Sequence, residues 1–268
     1  MRAKIRSALA EQLLETGGLH GLGVIDSHGH MGPFGGFLMP NAEAADMVRT
    51  MDRCGIAWLV FSHHEALQNT IKGNAKAQAA IDMYPRRFRG YYAVNPAYPD
   101  WLRAGVENFE QLRGFVGYKI LAGYYRTAID LPACRPLWEQ AHEKRLPVLL
   151  HTWGGDQYAG PAQVEKIARR YPRAIIIMGH SMYGDWDSAI RLAKRYGNVY
   201  CELCAAYATG VIRKMVEDGI EDKILFGTDL PWFDPMYGIG CVVFARISET
   251  ARRKILRENA LRLFGAAL

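Results

Sequence analysis

The segment Gly23-Val-Ile-Asp-Ser-His-Gly-His30 runs from apolar residues into two histidines spaced i and i+2. On a β-strand, alternate side chains leave the same face, so His28 and His30 point in one direction from the end of one strand. Two neutral imidazoles that converge on one point form half of a divalent metal site. A His-x-His pair alone is a weak signal, and its weight comes from the segments that follow it.

Seven further apolar runs follow this segment, and four of them end in a residue with metal-binding or catalytic chemistry. These four are 115–119, ending in Lys119; 147–151, ending in His151; 174–180, ending in His180; and 224–229, ending in Asp229. The other three are 56–61, 90–95 and 199–203. Short, near-continuous apolar runs are typical of parallel strands that are buried on both faces. The sequence therefore predicts eight such strands.

Helix-forming stretches separate the apolar runs, which recur roughly every 25 to 33 residues, the interval of a repeating βα unit. Eight units fill 268 residues with little left over, so we predict a single (β/α)8 TIM barrel over residues 1–268. An open, doubly wound sheet also alternates strands and helices, but no G-x-G-x-x-G follows the first strand. Moreover, only a closed barrel brings the ends of strands one, five, six and eight to one mouth.

The composition is that of one compact soluble domain, with 50% hydrophobic and 22% charged residues. No run of about 18 apolar residues is present that could cross a membrane. Residues 1–20 lack the continuous apolar core of a signal peptide and place Ile5, Leu9 and Leu13 on one helical face, which predicts an N-terminal helical extension. Together with an odd number of cysteines, five, these features predict a cytoplasmic location.

The net charge of +6 raises the question of nucleic-acid binding. The basic groups at 86–87, 169–170 and 252–254 are scattered along the chain, at the ends or outer faces of predicted helices. There they complement the helix dipole and solvate the surface. No nucleic-acid recognition motif accompanies them. We therefore expect no nucleic-acid or membrane partner, and a small molecule as the substrate.

Taken together, these residues resemble the amidohydrolase superfamily. Asp26-x-His28-x-His30, a histidine after strands five and six, and an aspartate after strand eight follow its order of metal ligands. The similarity is closest to the amidohydrolase 2 branch, which lacks a flanking β-sandwich domain. It runs from about residue 22 to the end, through segments 117–120, 147–152, 224–231 and 258–264. That branch contains hydrolases of amides and lactones, non-oxidative decarboxylases of aromatic and unsaturated acids, and hydratases, and its members are often dimers.

Carried over residue by residue, the resemblance implies that His28, His30, His151 and Asp229 bind one metal ion. Nitrogen and oxygen donors with an open position for water suit zinc, with manganese as an alternative. In one-metal relatives, His180 would contact the metal-bound water or the substrate, and this is the role we expect. In binuclear relatives, the corresponding histidine helps to hold a second metal.

Lys119 is open to three interpretations. The resemblance aligns it with the carbamylated lysine that bridges two metals in binuclear relatives, and burial near other cations favours the neutral amine that this chemistry needs. In one-metal relatives, a basic residue here can bind a substrate carboxylate. An ion-paired structural lysine is the third interpretation. Asp26, which alternates with the two histidines, is expected to orient an imidazole.

Residues outside the predicted metal ligands could line the mouth of the barrel. Candidates for substrate binding are Asn95, Arg126, Trp153 and Glu202, since each lies at or after the end of a predicted strand. The loop 31–40 follows the histidine pair, and its glycines allow movement. Its apolar side chains, those of Phe34, Phe37 and Leu38, could cover an apolar substrate.

The reaction expected first is metal-assisted hydrolysis of an amide, ester or lactone. A metal-bound water supplies hydroxide, Asp229 takes its proton and passes it to the leaving group, and His180, with Lys119, stabilises the oxyanion. The alternative is a metal-dependent decarboxylase of an aromatic or unsaturated acid, in which Asp229 protonates the carbon that loses carbon dioxide. A third hypothesis is a non-catalytic binding protein that retains the metal site.

Overall fold

The computed structural model describes residues 7–206, 208–265 and 267–268 and contains eight strands. The strands are β1 Val24–Met31, β2 Ile56–His63, β3 Phe88–Val94, β4 Phe115–Ile120, β5 Pro147–Trp153, β6 Ile175–Tyr183, β7 Val199–Glu202 and β8 Ile224–Leu225. The helices before β5 are α1 Ala8–Thr16, α2 Ala44–Cys54, α3 Thr70–Met83, α4 Pro99–Asn108, α5 Ala122–Tyr125 and α6 Arg135–Lys144. Those after β5 are α7 Pro161–Arg170, α8 Trp186–Arg195, α9 Val211–Glu217, α10 Pro235–Val243, α11 Glu249–Arg253 and α12 Asn259–Phe264.

The eight strands form one sheet in the order of the sequence, and every neighbouring pair is parallel. Hydrogen bonds between β1 and the segment that follows β8 close this sheet. Ser27 N donates to Phe226 O at 2.9 Å, Asp229 N to His28 O at 2.8 Å and His30 N to Leu230 O at 2.7 Å. The prediction of a single (β/α)8 barrel is therefore confirmed, and the open doubly wound sheet is excluded.

The inside of the barrel is a packed layer of side chains, as in other barrels of this architecture. All of the strands except β7 contribute one buried residue to it: Ile25, Val60, Tyr91, Val116, Leu149, Ile177 and Leu225. Ala260 and Phe264 of α12 pack against this layer. The Tyr91 hydroxyl donates a hydrogen bond to Ser27 O at 2.9 Å. This layer fills the barrel below the carboxyl ends of the strands. The polar residues at those ends therefore lie above closely packed apolar side chains.

The N-terminal helix α1 packs on the outside of the barrel and is fixed at its start. The Ser7 hydroxyl accepts a hydrogen bond from Ala10 N and donates one to Glu249 at 2.6 Å, while Leu9 and Leu13 are buried. This helix lies within the predicted extension 1–20, although Ile5 lies outside the described residues. None of the helices that the structure describes is both long and apolar enough to span a membrane.

Asn259 joins α12 to the start of the short strand β8 and to the turn before it, and its removal should destabilise the barrel. Its fully buried amide nitrogen donates to Glu221 O at 2.7 Å and to Ile224 O at 2.8 Å. Asn259→Ala leaves two carbonyls without this donor, so we expect a loss of about 1–3 kcal/mol in the free energy of unfolding, measured by urea denaturation. The control Asn108→Ala removes an exposed asparagine that donates a hydrogen bond to one helical carbonyl. This variant should change the free energy of unfolding by less than about 0.5 kcal/mol. Equal losses in the two variants would contradict this role of Asn259.

Candidate metal centre

Four polar side chains from distant parts of the sequence meet at the carboxyl ends of the strands. His28 and His30 come from β1, His180 from β6, and Asp229 from the segment after β8. Asp229 Oδ1 lies 3.4 Å from His28 Nε2 and 3.2 Å from His30 Nε2, and the rings of His28 and His180 are 5.1 Å apart. His151 of β5 joins this group, with its ring 4.8 Å from that of His180. The closed barrel thus brings all five sequence-predicted residues into one cluster.

The donor atoms of this cluster fit a divalent cation. One ligand atom from each of His28, His30 and Asp229 can be chosen so that all three lie within 4.8 Å of one another. His151 Nδ1 and His180 Nδ1 are buried without a hydrogen-bond partner. Buried polar atoms are almost always paired, so two unpaired imidazole nitrogens within this cluster fit a site for a divalent cation. Imidazole nitrogens with a carboxylate oxygen suit both zinc and manganese.

Burial holds the cluster in the protonation states that metal binding requires. It lowers the pKa of His28 and His151 well below their usual value and that of His180 to about 3, so the three imidazoles are neutral. Burial alone would raise the pKa of Asp229. The adjacent imidazole of His28, a hydrogen bond from His30 and the nearby imidazole of His180 outweigh it and keep that pKa well below its usual value. Asp229 is therefore an anionic group beside neutral imidazoles.

Glu202, at the end of β7, forms a hydrogen bond with the Nδ1 side of the His28 ring. Its carboxylate accepts three hydrogen bonds, from His28 Nδ1 at 2.7 Å, His180 N at 3.1 Å and Cys204 N at 2.5 Å. Because Glu202 accepts from Nδ1, the Nε2 lone pair of His28 is directed at the cluster. Gly227 makes this packing feasible, since a methyl group there would lie only 2.8 Å from Glu202 Cδ and from His28 Cβ. The placement of Glu202 therefore fits a residue that orients His28 rather than one that contacts a substrate.

Lys119 lies directly beside the cluster, with its Nζ 2.9 Å from His28 Nε2. It is fully buried, and burial lowers its pKa to about 8 although Asp229 and Glu202 raise it. Among the described residues, no salt bridge to Lys119 is formed within 4.0 Å, so the ion-paired structural interpretation does not fit this placement. The bridging and substrate-binding interpretations both remain predictions.

Asp26 positions backbone rather than an imidazole, which corrects the sequence-based expectation. Its carboxylate accepts from His28 N at 3.1 Å, from Thr228 N at 3.2 Å and from the Thr228 hydroxyl at 2.5 Å. These bonds tie β1 to the residue that precedes Asp229. Burial raises the pKa of Asp26 to about 8. Asp26 thus sets the distance between the His28 and Asp229 backbones.

The backbone at two ligand positions is held in the left-handed region. His180, Ser181 and Met182 have φ values of 64°, 48° and 53°, and Asp229 has a φ of 62°. Side chains fix the first turn: Ser181 Oγ donates to Glu202 O at 2.7 Å, and Thr152 Oγ1 accepts from Met182 N at 3.0 Å. Non-glycine residues in this region cost free energy and are concentrated at functional sites.

A cavity of about 200 Å³ opens above the cluster, smaller than the roughly 300–1,000 Å³ of sites for drug-sized ligands. His30, His151, His180 and Asp229 line its polar end. Six aromatic rings, called here the aromatic wall, line the remainder together with Leu67, Leu121 and Ala205: Phe34, His64, Tyr124, Trp153, Trp232 and Phe233. The volume and the lining indicate a small, largely apolar ligand.

Of the four residues predicted to bind substrate, Trp153 lines this cavity. Asn95, Arg126 and Glu202 are absent from the described lining. Arg126 is exposed, Asn95 accepts a hydrogen bond from Ala97 N in the loop after β3, and Glu202 is buried behind His28. For these three residues the placement argues against direct contact with a substrate in the cavity.

The loop 31–40 covers part of the cavity through aromatic contacts. The sequence positions of these residues did not predict which rings they would contact. The Phe34 ring lies 4.9 Å from that of Trp232 and 5.4 Å from that of His64. The Phe37 ring, 5.1 Å from Trp232, packs on the outside of this pair, whereas Leu38 is 92% exposed. Trp232 was missed as a lining residue because its segment carries no spacing that signals a site.

The chain matches the sequence model of the amidohydrolase family over residues 25–266. It is similar to a gamma-resorcylate decarboxylase of a Polaromonas species, with 24% identity over 280 residues that cover 81% of this chain and 86% of that protein. A dihydroxybenzoic acid decarboxylase from Polaromonas, with bound manganese and 2-nitroresorcinol, has a TM-score of 0.75 at 20% identity and covers 91% of this chain and 97% of that one. A 5-carboxyvanillate decarboxylase from Novosphingobium aromaticivorans, complexed with manganese and a nitrobenzoic acid, has a TM-score of 0.73 at 15% identity and covers 99% of both chains.

Replacing Glu202 should weaken metal binding without removing a ligand. In Glu202→Gln only one oxygen remains to accept three N–H groups, so His28 loses its fixed orientation. We expect the dissociation constant for zinc or manganese, measured by competition with a chromophoric chelator, to rise about 10–100-fold.

Glu107→Gln, a change at an exposed helical position, is the matched control and should leave that constant unchanged. The melting temperature of each metal-free variant separates a loss of affinity from a loss of folding. Unchanged metal affinity in a folded Glu202→Gln variant would show that Glu202 does not position His28.

Proposed function

The chain belongs to the amidohydrolase family, as its histidine motif indicated, and from this premise we propose that it is a metal-dependent decarboxylase of a hydroxylated aromatic acid. The observation that carries the proposal is the cavity, in which a carboxylate and neutral imidazoles at one end face a wall of aromatic rings. The similarity to decarboxylases of aromatic acids supports it. The sequence alone placed hydrolysis first and decarboxylation second, and these observations reverse that order.

The ligands of the metal would be His28, His30, His151 and Asp229, with His180 free to contact the substrate. When bound, a divalent cation supplies a Lewis acid that holds the substrate's carboxylate and neighbouring hydroxyl oxygens. Two of the similar structures contain manganese, whereas the donor set alone suggested zinc, and the residues present suit either ion. We propose one ion per chain.

Asp229 is the proposed proton donor to the ring carbon that carries the carboxylate. A hydroxyl group beside that carbon raises its electron density and can give its own proton to the Asp229 carboxylate. Asp229 then passes this proton to the carbon. The bond to the carboxylate breaks, its electron pair restores the aromatic ring, and carbon dioxide leaves. Solvent returns one proton to the oxygen, so each turnover consumes one proton and no water.

The aromatic wall would hold the ring and keep water out of the reacting end. Stacked and edge-on aromatic contacts add about 0.5–1.5 kcal/mol per pair beyond the area they bury. Excluding water strengthens the interaction between Asp229 and the substrate because it lowers the local dielectric constant. The expectations of a cytoplasmic location, a homodimer and the absence of nucleic-acid or membrane partners stay predictions.

Decarboxylation in deuterium oxide tests the reaction type. With manganese present and 2,6-dihydroxybenzoate as the substrate, we expect carbon dioxide to be released and one deuterium to replace the carboxylate, as read by mass spectrometry. Asp229→Asn should lower kcat at least about 100-fold, the scale of a lost general acid. The exposed control Asp82→Asn should retain full activity. Hydrolysis of an amide, ester or lactone without release of carbon dioxide from any aromatic acid would contradict the proposal.

Metal removal provides a second test. Dialysis against a chelator should abolish turnover, and adding back manganese or zinc should restore it with one ion bound per chain, as measured by elemental analysis. His151→Ala should bind less than one ion, whereas His142→Ala, a change at a histidine on the surface helix α6, should behave as the wild type. Two ions per chain would replace the one-metal centre with a binuclear one.

A further inference from the structure

The cavity above the metal centre contains one place for a negative charge. Among the described residues that line it, none is a lysine or an arginine. The cationic residue beside the cluster, Lys119, is fully buried below it against His28 Nε2, and Arg126 is exposed outside the lining. An anionic group of the ligand is therefore matched at the metal end and has no cationic partner elsewhere in the cavity.

The polar atoms of one side of the aromatic wall are already paired with each other. His64 Nδ1 donates to Gly32 O at 2.6 Å, and His64 Nε2 accepts from Trp232 Nε1 at 2.9 Å. Both ring nitrogens of His64 and the indole nitrogen of Trp232 are thus engaged within the protein. Phe34 packs edge-on against both rings, so this side presents hydrocarbon to the ligand. Among the described side chains on this side of the cavity, none offers a free hydrogen-bond donor to a second ligand anion.

We propose, on the basis of the decarboxylase function above, that the substrate carries a single carboxylate and that the rest of its ring is uncharged. A second carboxylate on the same ring that lies against Phe34, Leu67 and Trp232 would meet hydrocarbon on this side of the cavity. A carboxylate buried there without a partner loses its hydration without compensation, so we expect it to weaken binding at least about 10-fold relative to an uncharged group of similar size. The cavity thus selects monocarboxylic aromatic acids over dicarboxylic ones, and Leu67, at the end of the turn 64–67, is a residue through which this selection can be altered.

Three ligands that share one ring test this selection by isothermal titration calorimetry on the manganese-loaded protein. They are 2-hydroxybenzoate, its 3-methyl derivative, which controls for size, and 2-hydroxybenzene-1,3-dicarboxylate. We expect the dicarboxylate to bind at least 10-fold more weakly than the methyl derivative. Equal or tighter binding of the dicarboxylate would overturn the proposal.

Leu67→Arg adds a cation to the wall and should reduce the difference between the methyl derivative and the dicarboxylate at least about fivefold. Leu14→Arg, which makes the same substitution at a 75% exposed position of α1, should leave the difference unchanged. If both arginine variants act alike, the selection does not arise in the cavity, and the proposal is overturned. Carbon dioxide release from 2,6-dihydroxybenzoate separates the two proposals: turnover without selection overturns this inference alone, and the absence of both turnover and binding overturns both.

Discussion

The hydrogen bonds that join β1 to the segment after β8 are the constraint on which the functional site depends. They place Asp229 N on His28 O and His30 N on Leu230 O, at 2.8 and 2.7 Å. Without this closure, ligands separated by about 200 residues in sequence would lie on opposite edges of a sheet. With it, the Asp229 carboxylate lies between two imidazoles. Asp26 strengthens the same junction by accepting hydrogen bonds from both segments.

Burial then determines what the cluster can do. Burial lowers the pKa values of His28, His151 and His180, so their imidazoles are neutral. The surrounding imidazoles keep the pKa of Asp229 low, so its carboxylate is anionic. Glu202 stabilises one orientation of His28 through a buried hydrogen bond. The result is a preorganised set of donor atoms that fits a cation, beside an aromatic wall whose described lining contains no lysine or arginine.

The sequence was sufficient to predict the barrel and the residues of the cluster, because both depend on local patterns. Apolar runs of strand length indicate buried parallel strands, and a polar residue that ends such a run lies at the carboxyl end of the barrel.

The role of Glu202 could not be predicted in this way. Its burial depends on Gly227 of a different strand end and on the amide of Cys204, which are tertiary contacts. Arg126 and Asn95 follow strands as Trp153 does, but the paths of their loops carry them away from the cavity. The motif of histidines and aspartate could not predict the reaction either, since one set of metal ligands serves both hydrolysis and decarboxylation.

The central claim is that this cluster is a one-metal catalytic centre, and a crystal structure of the manganese-loaded protein measured at the manganese absorption edge tests it most directly. The account predicts one anomalous peak per chain, within about 2.0–2.3 Å of the donor atoms of His28, His30, His151 and Asp229. It also predicts that the Lys119 amine carries no carbon dioxide adduct. Two peaks bridged by a modified Lys119, or a peak away from these four residues, would contradict it.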